Sequence, residues 1–277
     1  MINKILVKIY SVVPRSVKLQ LGQSQLLKPL RDTFLRRKES YVETKGLIQR
    51  NYGDYIVKFY FFSDIQNVAR AKKKGIESTL LRNSIILLNK HKSDKNDCVV
   101  LDVGANFGFL SLVWGCSVCK EEGRVFAFEP NPYVYNTFLK SIGKNGLTPI
   151  IKAAHNAVGS KNKTIQLYLN NTTSNTLQTE TSTKSTDIEM ISIDNYIRIN
   201  KITRCDLIKI DVDGIELDIL EGSISTLEKL RPIFIVETND NKGIIDFFAN
   251  RDYLILDMEL KEYKEDNILP DNIFCVP

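Results

Sequence analysis

The sequence has few of the features that mark membrane-spanning or disulfide-stabilised proteins. No apolar run in the 277 residues approaches the roughly 20 residues of a membrane span. The apolar stretch 5–13 is interrupted by Lys8 and no small-residue cleavage site follows it, so we expect no signal peptide. The five cysteines are odd in number and scattered, which argues against a disulfide framework. These absences predict a protein of a reducing compartment, the cytoplasm.

Two nucleotide-binding signatures are also missing. No Gly-Lys-Ser/Thr follows the glycine-containing stretch 104–108, which excludes a P-loop. The dinucleotide fingerprint G-x-G-x-x-G needs a middle glycine, and Asn106 stands at that position. A nicotinamide-dependent dehydrogenase is therefore disfavoured but stays open as an alternative. Nucleic acid is not an expected partner, because the basic residues lack interleaved aromatic residues.

Positive charge is concentrated at the N-terminus. Residues 1–38 hold nine basic residues against one acid, Asp32, a net charge of +8, so the remainder carries −3 of the total of +5. Five apolar residues share one face of a helix, namely Ile5, Leu6, Ile9, Val12 and Val13. We predict a basic amphipathic arm over 1–40 that contacts an anionic membrane peripherally, at the inner membrane surface. The alternatives are an arm that docks on its own domain and one that only solvates the terminus.

The stretch 98–111, CVVLDVGANFGFLS, organises the rest of the chain. An apolar run reaches Asp102, and Gly104 and Gly108 then bracket a turn into an apolar segment predicted to be helical over 109–118. Glycines at such a junction let a ligand approach the backbone, and the helix N-terminus offers unpaired N–H groups. An acid followed by G-x-x-x-G suits S-adenosylmethionine, whose ammonium needs a carboxylate or carbonyl partner. The alternative is a tight turn that binds nothing.

The remaining patterns predict an α/β fold. Residues 41–49 and 54–62 have strand composition around a turn, 69–75 is predicted to be a polar link, and 77–89 a helix. With the charged loop 90–97, this hairpin and helix form an appendage over 41–97. From 98 to 277 strand and helix patterns alternate, which predicts seven core strands in a mostly parallel sheet with helices on both faces. A polar insert, 170–186, is expected to cover the substrate.

Two helices of this domain carry clear signals. Asn131 and Pro132 suit the N-cap and first position of a helix whose buried stripe is predicted to be Tyr135, Phe138, Leu139 and Ile142. The helix after the fourth core strand is expected to bury Leu220, Ile224 and Leu227.

Acidic residues follow four core strands: Asp102, Glu129, Asp211 and Glu237. Ligands of open α/β sheets bind outside the carboxyl ends of the strands, so these acids are predicted to meet at one cleft. Glu129 lies 25 residues after Gly104, where an acid can accept hydrogen bonds from ribose hydroxyls.

The sequence resembles the FkbM family of S-adenosylmethionine-dependent methyltransferases. The matching motifs, in order, are LDVGANFGFLS (101–111), VFAFEPNP (125–132), NAVGS (156–160), the step 193–194, LIKIDVDGIELDILEG (207–222) and VE (236–237).

That resemblance implies a seven-stranded Rossmann-like fold and O-methylation of a hydroxyl on a sugar, glycan or secondary metabolite. It implies that the methionine end of the cofactor is held by Asp102, Gly104, Asn106 and Gly108. Glu129 would then hold the ribose, and Asn156 with Ala157 the adenine. Two departures from the family pattern are Asp213, where Glu is usual, and Ser160, where Asp is usual.

Methyl transfer to an alcohol needs a group that accepts the hydroxyl proton. We predict Asp211 as base or substrate-orienting group with Lys209 as its charge partner, because both share one face of a strand and a buried lysine needs an acidic partner. Asp213, Glu216 and His155 are the other candidates.

Structural roles compete for several of these residues. Helix capping explains Asp213 and Glu216 equally well, a structural role competes with a substrate contact for Glu237, and His155 suits the cofactor wall. A metal site of Asp211, Asp213 and Glu216 is disfavoured, so no metal is expected. The pair Cys116 and Cys119 is expected to pack in the core, since no second pair supplies zinc ligands. A non-catalytic or membrane-docked adaptor with the same fold remains the alternative function.

Overall fold

The computed structural model describes residues 36–37, 40–91, 97–169, 175–176, 185–212, 214–264 and 267–277. The predicted arm 1–40 thus lies almost wholly outside the described residues, as do Asp213, most of the insert 170–186 and most of the loop 90–97. Membrane contact by the arm stays a prediction. No helix within the described ranges is both long enough and apolar enough to cross a membrane.

The described residues form 15 strands and eight helices. The strands are β1 (Arg36–Arg37), β2 (Ser40–Tyr41), β3 (Glu43–Tyr52), β4 (Tyr55–Asp64), β5 (Val99–Val103), β6 (Arg124–Phe128), β7 (Ile151–Ala154), β8 (Ala157–Val158), β9 (Lys163–Leu169), β10 (Asn175–Thr176), β11 (Ser185–Ile191), β12 (Leu207–Ile210), β13 (Ile233–Glu237), β14 (Leu254–Leu256) and β15 (Asn272–Val276). The helices are α1 (Ile65–Lys73), α2 (Ser78–His91), α3 (Phe109–Gly115), α4 (Pro132–Lys144), α5 (Ile193–Ile199), α6 (Glu216–Glu221), α7 (Ile224–Leu230) and α8 (Gly243–Ala249).

The central sheet has seven strands in the order β14-β15-β13-β12-β5-β6-β7, which confirms the predicted α/β fold. Five neighbouring strands of this sheet are parallel, in the order β13-β12-β5-β6-β7. Strand β15 runs antiparallel between β13 and β14. The register of the two middle strands places Lys209 of β12 directly beside Asp102 of β5. The sheet thereby aligns the predicted site residues along its carboxyl edge.

The two faces of the sheet carry separate apolar cores, because successive residues of a strand point to opposite sides. Val100 of β5 packs with residues of the hairpin β3–β4 and of α1 to α4. Leu101 of the same strand packs with residues of α5 to α8 on the other face. Helices therefore cover both faces, as predicted.

The predicted hairpin is confirmed, and its strand β4 packs on the helices α3 and α4. Phe59 and Phe61 of β4 meet the ring of Phe109 edge-on, with centroids 5.6 and 5.2 Å apart. The Phe62 N–H donates to Ser141 Oγ of α4 at 3.0 Å. Residues 41–91 thus share one buried core with the rest of the described residues, and a domain boundary after residue 97 stays a prediction.

The polar link predicted over 69–75 is wrong. Most of it belongs to α1, which buries Val68, Ala69 and Ala71 and is capped by Asp64, whose Oδ1 accepts from Asn67 N at 2.8 Å. The lysines of the last turn are exposed. Because they are consecutive in the sequence, the segment was predicted to be polar although the helix is amphipathic.

The helix predicted over 109–118 ends at Gly115, because the chain turns so that Cys98 N can donate to Val118 O at 2.9 Å. The helix predicted after β12 is split at Gly222. A Cβ there would lie 2.5 Å from the carbonyl oxygen of Gly159, so close backbone contact interrupts the helix.

In α4 the predicted start is confirmed: Asn131 Oδ1 accepts from Tyr133 N and Val134 N. The predicted stripe is partly wrong. Leu139 is 39% exposed and Tyr135 is half-buried, while Phe138 and Ile142 are buried as expected.

Candidate active site

A cavity of about 510 Å³ opens at the carboxyl ends of β5, β6 and β12, within the range of about 300–1,000 Å³ typical of ligand pockets. One wall comes from the N-terminal part of the chain, including Phe61 and Glu77. The opposite side comes from a small sheet of β8 to β11, which contributes Ala157, Leu167 and Met190. The cavity brings together the predicted cofactor-binding residues except Gly108, and both predicted catalytic residues, Lys209 and Asp211. The prediction that all four strand-end acids meet at one cleft is wrong for Glu237, which does not line the cavity.

The turn after β5 shows why glycine is needed at position 104. Gly104 has φ +74°, and a Cβ there would lie 2.0 Å from the Asp211 carbonyl oxygen. Asn106 also has a positive φ of 55°, a conformation that Asn tolerates better than most residues. Its backbone N–H donates to Glu129 Oε2 at 2.8 Å. The turn therefore fits tightly between β12 and the acid that follows β6.

Gly108 has a packing role in the turn before α3. Its φ is +76°, and a Cβ would lie 1.9 Å from the ring of Phe138. It precedes α3 and lies outside the residues that line the cavity. Packing of α4 on the turn requires this glycine, and its cofactor contact stays a prediction.

Asp102 and Lys209 form a buried charged pair. Lys209 Nζ lies 3.7 Å from Asp102 Oδ1, with both side chains at most 4% exposed. Asp102 Oδ2 accepts from Ser111 Oγ at 2.5 Å, whereas Oδ1 has no hydrogen-bond donor among the described residues. Burial raises the pKa of Asp102, and the Lys209 ammonium opposes this shift. Burial would lower the pKa of Lys209, but the surrounding carboxylates hold it well above its usual value.

Asp211 stands at the open side of this pair. Lys209 Nζ lies 3.1 Å from Asp211 Oδ2, and the Asp211 side chain is 35% exposed. Burial would raise the pKa of Asp211, but Lys209 and a hydrogen bond with Glu237 hold it below its usual value. Burial and then the Asp211 charge raise the pKa of Glu237 to about 7. Asp211 is thus an ionised, reachable carboxylate, whereas Glu237 contacts Asp211 and does not line the cavity.

Glu129 is a buried carboxylate on the far side of the turn. Its Oε2 and Oε1 accept from the backbone N–H groups of Asn106 and Asn131, both at 2.8 Å. Burial raises its pKa to about 7, and these backbone donors oppose the shift. Each carboxylate oxygen keeps a further lone pair, so Glu129 can still accept from a ligand hydroxyl.

Asn156 and Ala157 line the cavity beyond Glu129, in agreement with their predicted position. The Asn156 side chain is held by a hydrogen bond from Nδ2 to the Glu189 carbonyl oxygen at 3.1 Å. The apolar neighbours Leu167 and Met190 make this end suited to a flat, weakly polar group.

The other candidate bases have structural partners. Glu216 Oε1 accepts from Val212 N, Gly214 N and Asn239 Nδ2, and so holds the turn after β12. His155 stacks on Tyr135 at 5.0 Å between ring centroids, and its Nε2 lies 3.0 Å from the Pro130 carbonyl oxygen. Neither lines the cavity.

Cysteine packing agrees with prediction. Cys119 is fully buried and Cys116 half-buried, and burial raises the pKa of the Cys116 thiol to about 11. Within the described ranges, no group of three or more His, Cys, Asp or Glu side chains is arranged to hold a metal ion.

Sequence reasoning missed Glu77, which lines the cavity from the turn between α1 and α2. Its signal in the sequence is weak: an acid two residues after Gly75, at the start of the helix predicted over 77–89. Glu77 lines the same cavity as Lys209 only because the hairpin β3–β4 and the helices α1 and α2 pack on the main sheet.

Comparison with known proteins adds a family match. The model of the methyltransferase FkbM domain matches residues 102–263, more than half of the chain.

Two named relatives are methyltransferases. The hexuronic acid methyltransferase AglP of Haloferax volcanii is 25% identical over 151 residues, which cover 54% of this chain and 60% of AglP. The methyltransferase sdnD of Sordaria araneosa is 26% identical over 177 residues, which cover 52% of this chain and 68% of sdnD. The chain thus spans three fifths of the length of AglP.

A solved structure, the methyltransferase FkbM of Methylobacillus flagellatus KT, is 16% identical with a TM-score of 0.47. The match covers 67% of this chain and 45% of that one.

Proposed function

The chain belongs to the FkbM methyltransferase family, and from this premise we propose that it transfers a methyl group from S-adenosylmethionine to a hydroxyl of a sugar, glycan or secondary metabolite. The observation that supports this most is Asp211, an ionised carboxylate that reaches the cavity while Lys209 fixes it from behind. The name of AglP, a hexuronic acid methyltransferase, favours a sugar acceptor among these classes.

The described residues fit the proposed cofactor. The buried Asp102 Oδ1 lacks a donor, and the cofactor's ammonium supplies one. The turn at Gly104 leaves no side chain between the ligand and the backbone, Glu129 can accept from ribose hydroxyls, and Asn156 with Ala157 borders the end suited to adenine. When bound, S-adenosylmethionine supplies a methyl group activated by its sulfonium.

The chain's own residues then have two tasks. The cavity walls hold the acceptor oxygen in line with the methyl group, and such positioning can contribute roughly 7–11 kcal/mol. Asp211 accepts the hydroxyl proton as the oxygen attacks, a contribution of about 10² to 10⁴ in rate. Lys209 keeps Asp211 ionised and oriented, and Glu237, which does not line the cavity, shares a hydrogen bond with Asp211.

Methyl-transfer assays and calorimetry test this proposal. The wild type should bind S-adenosylhomocysteine and transfer labelled methyl from S-adenosylmethionine to an acceptor in a panel of uronic acids, neutral sugars and glycans. Asp211→Asn should lower kcat by about 10² to 10⁴ while the Kd for S-adenosylhomocysteine changes little. Asp246→Asn, a change of an exposed acid on α8, is the matched control and should leave both unchanged.

Other outcomes point to the alternatives. Binding of a nicotinamide cofactor in place of S-adenosylhomocysteine would indicate a dehydrogenase. Tight binding without transfer to any acceptor would favour an adaptor that keeps the fold. Undiminished transfer by Asp211→Asn would refute the role assigned to this residue.

A further inference from the structure

Glu77 occupies a strained position at the cavity wall. It lies in the turn between α1 and α2, directly before Ser78, and its carbonyl oxygen accepts from Leu81 N at 2.9 Å to start the helix. Its φ is +45°, in the left-handed region that a long side chain rarely adopts. Strain of this kind persists where the surrounding structure imposes it, and it clusters at ligand sites.

Glu77 lines the cavity together with the charged residues Lys209 and Asp211. The side chain remains open to solvent, because the cavity is open, although protein surrounds most of it. Its charged neighbours are Lys209, Asp211, Asp102 and Arg70, and burial raises its pKa. None of the described residues donates a hydrogen bond to this carboxylate, so it is an acceptor that the folded chain leaves open to a ligand.

Asp102 supplies a second and independent observation. Its Oδ1 atom is fully buried, belongs to a residue that lines the cavity, and has no donor among the described residues. Lys209 does not fill this need, because its Nζ is directed at Val103 O at 3.4 Å, Gly104 O at 3.1 Å and Asp211 Oδ2 at 3.1 Å. Lys209 Nζ lies 3.7 Å from Asp102 Oδ1, within ion-pair distance but beyond hydrogen-bond distance.

We propose that Glu77 is a cofactor-binding residue that, together with Asp102 Oδ1, binds the α-ammonium of the amino-acid part of S-adenosylmethionine. The inference rests on the proposed function. Both acceptors belong to residues that line the cavity, and the α-ammonium is the part of this ligand that carries several donors and a positive charge. The N-terminal segment thus supplies one of the two carboxylates at this site.

Binding of two cofactor fragments tests the proposal without turnover. S-adenosylhomocysteine has the α-ammonium but no sulfonium charge, and methylthioadenosine lacks the amino-acid part altogether. For full-length Glu77→Gln, calorimetry should show S-adenosylhomocysteine binding weakened about tenfold or more, as expected for loss of a charged hydrogen-bond partner. Methylthioadenosine binding should stay within about twofold of the wild type, which also shows that the pocket is intact.

Two further variants sharpen the result. Glu77→Asp keeps the charge and should recover part of the affinity for S-adenosylhomocysteine. Glu228→Gln removes an exposed acid on α7 that does not line the cavity and should change neither affinity.

Each other outcome has a definite meaning. Equal losses for both ligands would show that Glu77 only shapes the turn. No loss for either ligand, with an unchanged KM for the acceptor, would remove Glu77 from the site. Unchanged S-adenosylhomocysteine binding with a raised KM for the acceptor would place Glu77 on the acceptor instead. A wild type that binds neither ligand would refute the proposed function itself.

Discussion

Replacing Lys209 by Met should destabilise the protein strongly at neutral pH. The variant keeps the length of the side chain but removes the cation that faces Asp102 at 3.7 Å and Asp211 at 3.1 Å. Breaking a buried ion pair by removing one partner costs about 3–5 kcal/mol, because a buried charge remains uncompensated. With about 2–4 °C of melting temperature per kcal/mol, the expected shift is on the order of 10 °C.

The loss should shrink as the pH falls. In the wild type, the depressed pKa of Asp211 contributes stability above its unfolded pKa that is lost as the pH falls through the folded value. The variant lacks this contribution. The raised pKa of Asp102 rises further without Lys209, so the folded variant takes up a proton more readily than the unfolded chain and gains stability on acidification.

Urea unfolding at pH 8 and pH 5 measures the loss and the Asp102 effect, because the Asp211 contribution is lost only below its unfolded pKa of about 3.8. Lys261→Met is the matched control, since it breaks an exposed lysine–carboxylate pair with Glu259 at 2.6 Å and should leave the unfolding free energy unchanged. The double variant Asp102→Asn/Lys209→Met should lose less than Lys209→Met alone. A loss below about 1 kcal/mol, or an equal loss at both pH values, would refute the buried-pair reasoning.

Two further predictions concern the glycine turn and the carboxyl pair. Gly104→Ala should lower the melting temperature by several degrees, because its Cβ would lie 2.0 Å from the Asp211 carbonyl oxygen. Gly143→Ala, with nothing within 4 Å, should stabilise α4 by up to about 1 kcal/mol, and equal effects in thermal melts would contradict this reading. In the wild type the rate of methyl transfer should rise with pH near 7, as Glu237 ionises and Asp211 becomes more basic. Glu237→Gln should abolish this step in the pH–rate profile, and its persistence would assign the step to another group.

Local signals in the sequence were sufficient where neighbouring residues decide the structure. The apolar run before Asp102 became the buried strand β5, and Asn131 with Pro132 began α4 as predicted. Each of these depends on side-chain periodicity or on a capping bond within a few residues. The same reasoning failed for α1, because exposed lysines in its last turn outweighed its four buried residues.

Residues distant in the sequence required the tertiary structure. Gly108 belongs to a recognisable sequence motif, but the reason that position 108 requires glycine is the nearby ring of Phe138 on α4. Glu77 reaches the cavity because the hairpin and α1 pack on α3 and α4, a contact that no periodicity records.

The sequence by itself determined the seven-stranded α/β fold, the family and the row of acids after four core strands. The tertiary structure alone decided which acids face the cavity, which remain charged and which lack a donor. The physical reason is that strand and helix patterns arise from residues close in the chain. A carboxylate's charge and hydrogen bonds, by contrast, depend on groups that only folding brings within a few ångströms.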